Sequence, residues 1–254
     1  VARARRRGVR AFVIVLVVLV ALVGIAWILV ETVGRPWAEE RIATEVASAL
    51  DIDAASVDAS VEGGSLVLQG IAGRLDDVHV TADDVAFEGL GGDLELTATG
   101  VPLDADLPTE RLRADLRVPA DTVQDLVRQS PDLESATVAL GTGAVTVSST
   151  VRILAAELPV SVDLDPSLDD GVLVLTPTAV DVNKLHLSID AIRESPFAAI
   201  ANSIAAPQRL CLAEYLPSSL RIDSVDVTGS AATLRVSGRN VAIGTLGSQS
   251  PGHC

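Results

Sequence analysis

The chain has 254 residues, 34 acidic against 19 basic, and a formal net charge of −15. Five of the basic residues are Arg3, Arg5, Arg6, Arg7 and Arg10, so the remainder holds 14 basic against 34 acidic groups, formally −20. That balance argues against nucleic acid as a partner, and it puts any lipid contact on apolar burial, because an anionic surface repels so acidic a domain.

Ala11 to Val30 is a run of apolar or glycine residues without a charge, following those arginines and preceding Glu31. At the helical rise it covers roughly 30 Å of hydrocarbon, and arginines before a span hold the N-terminus in the cytoplasm. A cleavable signal peptide is the rival reading, but its apolar region runs only about 7–15 residues and ends at a small-x-small site. The run here is longer and ends in Trp27-Ile28-Leu29-Val30, which favours an uncleaved anchor. We therefore expect a cytoplasmic basic tail at 1–10, a single-pass signal anchor in the plasma membrane at 11–33, an extracytoplasmic domain at 34–243 and a tail at 244–254.

Pro36, with Glu39 and Glu40 close behind, marks a helix start, and Ile42, Val46, Ala49 and Leu50 recur at helical spacing until about Asp51. From Val57 the period changes to two, with Leu66 and Leu68, Val78 and Val80, Val85 and Phe87, and Leu94, Leu96 and Ala98 predicting strands. Gly63-Gly64 and Gly91-Gly92 are expected to turn between them. Leu112 to Val118 continues the alternation, and Ala120, Val123, Leu126 and Val127 then fall on one face of a short amphipathic helix.

Alternation resumes at Val138 and Leu140, turns at Gly141-Thr142-Gly143 and runs from Val145 to Ile153. Strands follow at Pro159 to Leu164 and Val172 to Leu175, joined through Asp169-Asp170-Gly171, and at Val180 to Ile189. Ser195 and Pro196 open a helix with Phe197, Ile200 and Ile204 as its stripe, and Pro207 ends it. Leu210, Leu212, Tyr215 and Leu216 form a short apolar segment, and strands at Leu220 to Val227 and Thr233 to Val241 close the chain. The expected fold class is α+β, a curved and mainly antiparallel sheet wrapped around amphipathic helices.

Cys211 and Cys254 both fall on the outer side of the expected span, where an oxidising compartment permits them to pair. Their spacing fits no metal site, and we assign no metal and no cofactor. The sequence has no Gly-x-Ser-x-Gly, no His-Glu-x-x-His and no phosphate-binding glycine loop. His79 and His186 lie within strand patterns, and Asp76-Asp77 and Asp83-Asp84 read as solvated acids, so no catalytic residue is assigned. After the span only Trp37, Phe87, Phe197 and Tyr215 are aromatic, whereas aliphatic residues abound. Each methylene withdrawn from water contributes about 0.8 kcal/mol, so an aliphatic cavity can hold a lipid tail without a charged clamp.

Three stretches carry a family resemblance: "RPWAEERIATEVASAL" with "VDASVEGGSLVLQGIAGRLDDVHVTADDV" after it, "LRADLRVPADTVQDLVRQ", and "LPSSLRIDSVDVTGSAATLRVSGRNV". Together the chain resembles the LmeA-like phospholipid-binding family of actinobacterial cell-envelope proteins from about residue 35 to 243. The resemblance implies a fold related to the elongated tubular lipid-binding proteins, a periplasm-like location and a role in envelope lipid or lipoglycan maintenance. It brings no catalytic residue, and the long span and terminal Cys254 depart from the commoner signal-peptide arrangement.

The expected ligand is a phospholipid or other acyl lipid lying between sheet and helices. The residues expected to face its chains are Trp37, Ile42, Val46, Leu126, Phe197, Ile200, Ile204 and Leu212. Two other readings stay open: a non-catalytic module that partners another envelope protein through a sheet edge or apolar helix, and an enzyme acting on envelope lipids, which needs clustered polar groups at a pocket mouth.

Overall fold

Residues that alternate apolar and polar pair into sheets because a pleated strand sends successive side chains to opposite faces. The computed structural model describes residues 34–87, 90–128, 135–153, 156–182, 185–194 and 206–254. The expected anchor at 11–33 and the helix with Phe197, Ile200 and Ile204 lie outside the described residues. Among the described residues no helix is long and apolar enough to cross a membrane.

Helix α1 (Arg35–Leu50) ends where its apolar spacing predicts, with Asp51 in the left-handed conformation at φ 55°. Pro36 sits in its first turn, but the acids expected to complement the dipole there do not. Instead the Glu39 carboxylate accepts a hydrogen bond from the Val61 N–H at 3.1 Å, and the Arg35 guanidinium donates to the Val61 carbonyl. These bonds hold α1 along β1 (Val57–Glu62).

The chain continues through α2 (Leu66–Ala72), β2 (Arg74–Phe87), β3 (Leu90–Pro102), β4 (Pro108–Pro119) and α3 (Ala120–Arg128). A second run comprises β5 (Thr137–Leu140), β6 (Val145–Ile153), β7 (Ala156–Asp169), β8 (Val172–Val182), β9 (Leu185–Ser188), α4 (Ile189–Arg193) and β10 (Gln208–Cys211). Then β11 (Leu220–Thr228) and β12 (Ala231–Ala242) return to the first sheet. The class is α+β and antiparallel as expected, but the strands form two open sheets and not one: β1-β2-β3-β4-β12-β11, and β10-β8-β7-β6-β5 with β9 also on β8. Because β12 pairs along β4 from Ala231 opposite Pro119 to Ala242 opposite Pro108, the second sheet is an insertion between neighbouring strands of the first.

Three local expectations change. Leu66 and Leu68 lie on α2, not on a strand. This turn of helix is held by Gln69, buried to 3% exposure, whose Nε2 donates to Gly64 O at 2.9 Å while its Oε1 accepts from Asp76 N at 2.9 Å. Gly91-Gly92 lies inside β3, not in a turn. There a Cβ on Gly92 would stand 2.5 Å from Arg117 O, so glycine serves close approach between strands. Finally, Val180 to Ile189 divides into the end of β8, β9 and the start of α4, although Asp170 and Gly171 form the expected hairpin turn with positive φ.

The first sheet has one aliphatic face. Strand pairing aligns Val78, Ala98, Leu112, Gly238 and Leu220 in one row, and Val80, Leu96, Ala114, Val236 and Ile222 in the next. α1 covers the β1–β2 side of that face, where Ala47, Val57, Val61, Val78 and Val80 form a buried core with Ile42 and Val46 packed against it. On the second sheet Val180 packs with Ile189 of α4, supported by Val160, Val162 and Val182, and Leu140, Val172, Val174 and Ala179 are buried as well.

Cys211 and Cys254 form a disulfide with their Cα atoms 5.8 Å apart. On the chain-entropy model, closing a loop of 43 residues contributes about 4 kcal/mol. The segment expected as a tail is tied down further, since Ser218 N–H donates to Ser250 O at 3.0 Å and Gly252 N–H to Leu216 O at 2.9 Å.

Candidate functional site

Held by Arg35 and Glu39 on the β1 edge, α1 leaves the middle of the aliphatic face open. The space between them is a groove of about 830 Å³, within the roughly 300–1,000 Å³ typical of small-ligand sites. Its floor is Val78 and Val80 of β2, Leu96 and Ala98 of β3 and Leu112 of β4. Trp37, Ile42 and Val46 line it from α1, so three of the residues singled out from sequence come together here.

Leu126 and Leu212 are not part of it. Leu126 lies on α3, which packs where β3, β4, β12 and β5 meet, and Leu212 follows Cys211, its N–H donating to Gly171 O at 3.0 Å. In the sequence the floor residues carry a strand pattern and no mark of a site. Their alternation is no different from that of other strands, and nothing local marks which aliphatic face α1 overhangs.

The groove is open where its lining is exposed. Trp37 is 67% exposed, Leu103 60% and Ile243 38%, and all three line it. They stand on the segments that frame one end: the start of α1, the β3–β4 turn, and the 3-10 helix Ile243–Ser248. Hydrogen bonds join these segments to α2 and to one another, from Leu103 N–H to Gly73 O at 3.0 Å and from Gly244 N–H to Ala105 O at 2.9 Å. Leu68 and Ile71 on α2 and Leu107 on the turn are exposed as well. Three large apolar side chains of the lining thus face solvent, and three more are exposed on the helix and turn that contribute Leu66, Gly70 and Ala105 to the groove, more than isolated surface leucines would explain.

Polar groups in the lining are few. Arg41 and Glu45 neutralise each other across one turn of α1 at 2.5 Å. Thr109 is 1% exposed, and its hydroxyl has no hydrogen-bond partner among the described residues. No histidine or cysteine lines the groove. This chemistry suits hydrocarbon, with one hydroxyl left for a polar atom.

Away from the groove, His79 and His186 stand on strands as their pattern predicts. His79 Nε2 lies 3.8 Å from Glu95, and His186 Nδ1 lies 3.0 Å from Asp181. Asp163, Asp181 and His186 come within 4.8 Å of one another and form a candidate ligand set, although their carboxylates already bond Thr146 and His186.

Fold and groove together define an α+β protein that offers a wide aliphatic recess. Residues 29–237 match the family model described as LmeA-like phospholipid-binding, and the chain belongs to that family. No curated protein and no solved structure matches it.

Proposed function

We propose that this protein holds the acyl chains of a phospholipid in the groove between α1 and the first sheet, and that it does so outside the cytoplasm while tethered to the plasma membrane through residues 11–33. The observation that carries the reading is the aliphatic groove itself in a chain of a phospholipid-binding family. Burying about ten methylenes there is worth about 8 kcal/mol before the cost of ordering the chain. The unpartnered Thr109 hydroxyl is available to an ester oxygen, and the exposed apolar side chains at the mouth suit a surface that meets a bilayer, where Trp and Leu partition favourably. Gly34 lines the groove, and an anchor ending at residue 33 would enter the domain on this side, which supports a mouth that meets the membrane. The role is upkeep of envelope lipid or lipoglycan by binding, with no bond made or broken.

Native mass spectrometry of the detergent-solubilised full chain tests the reading. Phospholipid should co-purify, and Val46→Trp, which fills the groove from α1, should lower the bound fraction at least fivefold with the thermal midpoint retained. A clean apo mass, or equal lipid in the variant, would refute it.

A further inference from the structure

The basic residues of the acidic domain are scattered in sequence, but strand pairing gathers six of them on the outer face of the first sheet: Arg111, Arg113 and Arg117 on β4, Arg235 and Arg239 on β12, and Arg221 on β11. This is the face opposite the groove, since Leu112, Val236 and Ile222 between them point inward. Arg235 is neutralised by Asp115 at 2.7 Å, and Arg117 donates to Ser230 Oγ at 3.2 Å. Arg221 pairs with Asp223 at 3.0 Å, yet its side chain remains 76% exposed.

The other three have no such partner. Arg111, Arg113 and Arg239 make no ion pair or side-chain hydrogen bond with any described residue, although Arg111 and Arg239 are directly opposite one another on adjacent strands. Like charges in that position destabilise a sheet. In a chain with 34 acidic residues, the neutral Thr97, Thr99 and Ser237 nevertheless occupy the neighbouring positions. Together with Arg221, the three arginines and three hydroxyls border a hollow of about 360 Å³, whose lining also includes the Asp223 carboxylate that Arg221 neutralises.

We propose that this hollow is an anion site that takes a phosphate group. Guanidinium forks present paired N–H donors in the spacing of phosphate oxygens. Ser237 Oγ accepts from Arg221 Nε at 3.3 Å and keeps its own proton to donate, whereas Thr99 Oγ1 already donates to Asp77 Oδ1 at 3.0 Å. An anion between Arg111 and Arg239 also converts their repulsion into two attractive contacts. The same chemistry is offered by a phosphodiester lipid headgroup and by free inorganic phosphate. The site is on the opposite side of the sheet from the groove and stands independently of acyl-chain binding.

Calorimetric titration of the full chain in a neutral detergent tests this with two probes, inorganic phosphate and glycerophosphoglycerol, the latter a headgroup without tails. Saturable binding of either is expected, weakened at least tenfold in Arg111→Gln/Arg239→Gln and in Arg113→Gln. It should be unchanged in Arg209→Gln, an exposed arginine of the second sheet paired with Asp169 at 3.1 Å. Tighter binding of glycerophosphoglycerol assigns the site to a lipid headgroup, and tighter binding of inorganic phosphate assigns it to a free anion. The double variant should melt no lower than the parent, because a like-charge pair is removed. Absence of saturable binding by both probes, or equal weakening by Arg209→Gln, overturns the proposal.

Discussion

The two sheets are made from the same alternation of valine, leucine and polar residues, yet they dispose of their aliphatic faces differently. In the first, α1 is fastened along the β1 edge by Arg35 and Glu39, and a groove remains over β2, β3 and β4. Among the described residues of the second, Val180 and Ile189 pack against Val160, Val162 and Val182, Val172, Val174 and Ala179 are buried as well, and a nearby hollow is lined by Ser135, Thr137, Ser149 and Asp181. Among the described residues, aliphatic alternation is common to both sheets, and the recess goes with the way α1 is held. Polar bonds clamp this helix to one side of its sheet, and the clamp prevents it from settling over the middle.

If the recess depends on the first sheet alone, the largest stability change in the molecule should leave it intact. Replacing Cys211 and Cys254 by serine should cost about 4 kcal/mol and lower the thermal midpoint by roughly 8–16 °C. Co-purified lipid, read by mass spectrometry, should persist, and its loss would show that the groove leans on the second sheet. A smaller effect is expected inside the first sheet. Gly92→Ala forces a Cβ against the Arg117 carbonyl and should cost about 1–3 kcal/mol in chemical unfolding.

Gln69→Ala removes the side-chain bonds to Glu62 O, Gly64 O and Asp76 N that hold α2 beside the mouth and should cost about 2 kcal/mol. Hydrogen exchange should then rise in α2 before it rises in the second sheet. The smallest change is Thr109→Val, which replaces a buried hydroxyl without a partner and should leave stability the same or raise it by about 1 kcal/mol. A clear loss in the lipid-free protein would mean that the hydroxyl has a partner in solution.

Much of the fold was legible in the residues. The end of α1 at Asp51, the hairpin at Asp170-Gly171, and the strands β4, β6, β11 and β12 follow from periodicity and turn chemistry. α2 was not, because its leucines also satisfy a two-residue period and the buried Gln69 that holds the turn finds its partners only in the folded chain. The role of Gly92 is not legible, because a glycine needed for close approach and one needed for a turn are the same letter.

Of the site, Trp37, Ile42 and Val46 could be found, since they share one side of a helix whose spacing is visible. Val78, Leu96 and Leu112 could not, because their place beneath that helix depends on which strands pair.

Local chemistry was enough to establish an acidic, strand-rich α+β chain behind a long apolar run, because side-chain periodicity and charge are properties of neighbouring residues. Pairing across long separations decided the rest. It split the strands into two sheets, placed β12 against β4 more than a hundred residues earlier in the chain, set three unpartnered arginines together and left a groove under α1. Register and the position of a helix over a sheet are settled by the summed contacts of the whole chain, and no single segment carries them.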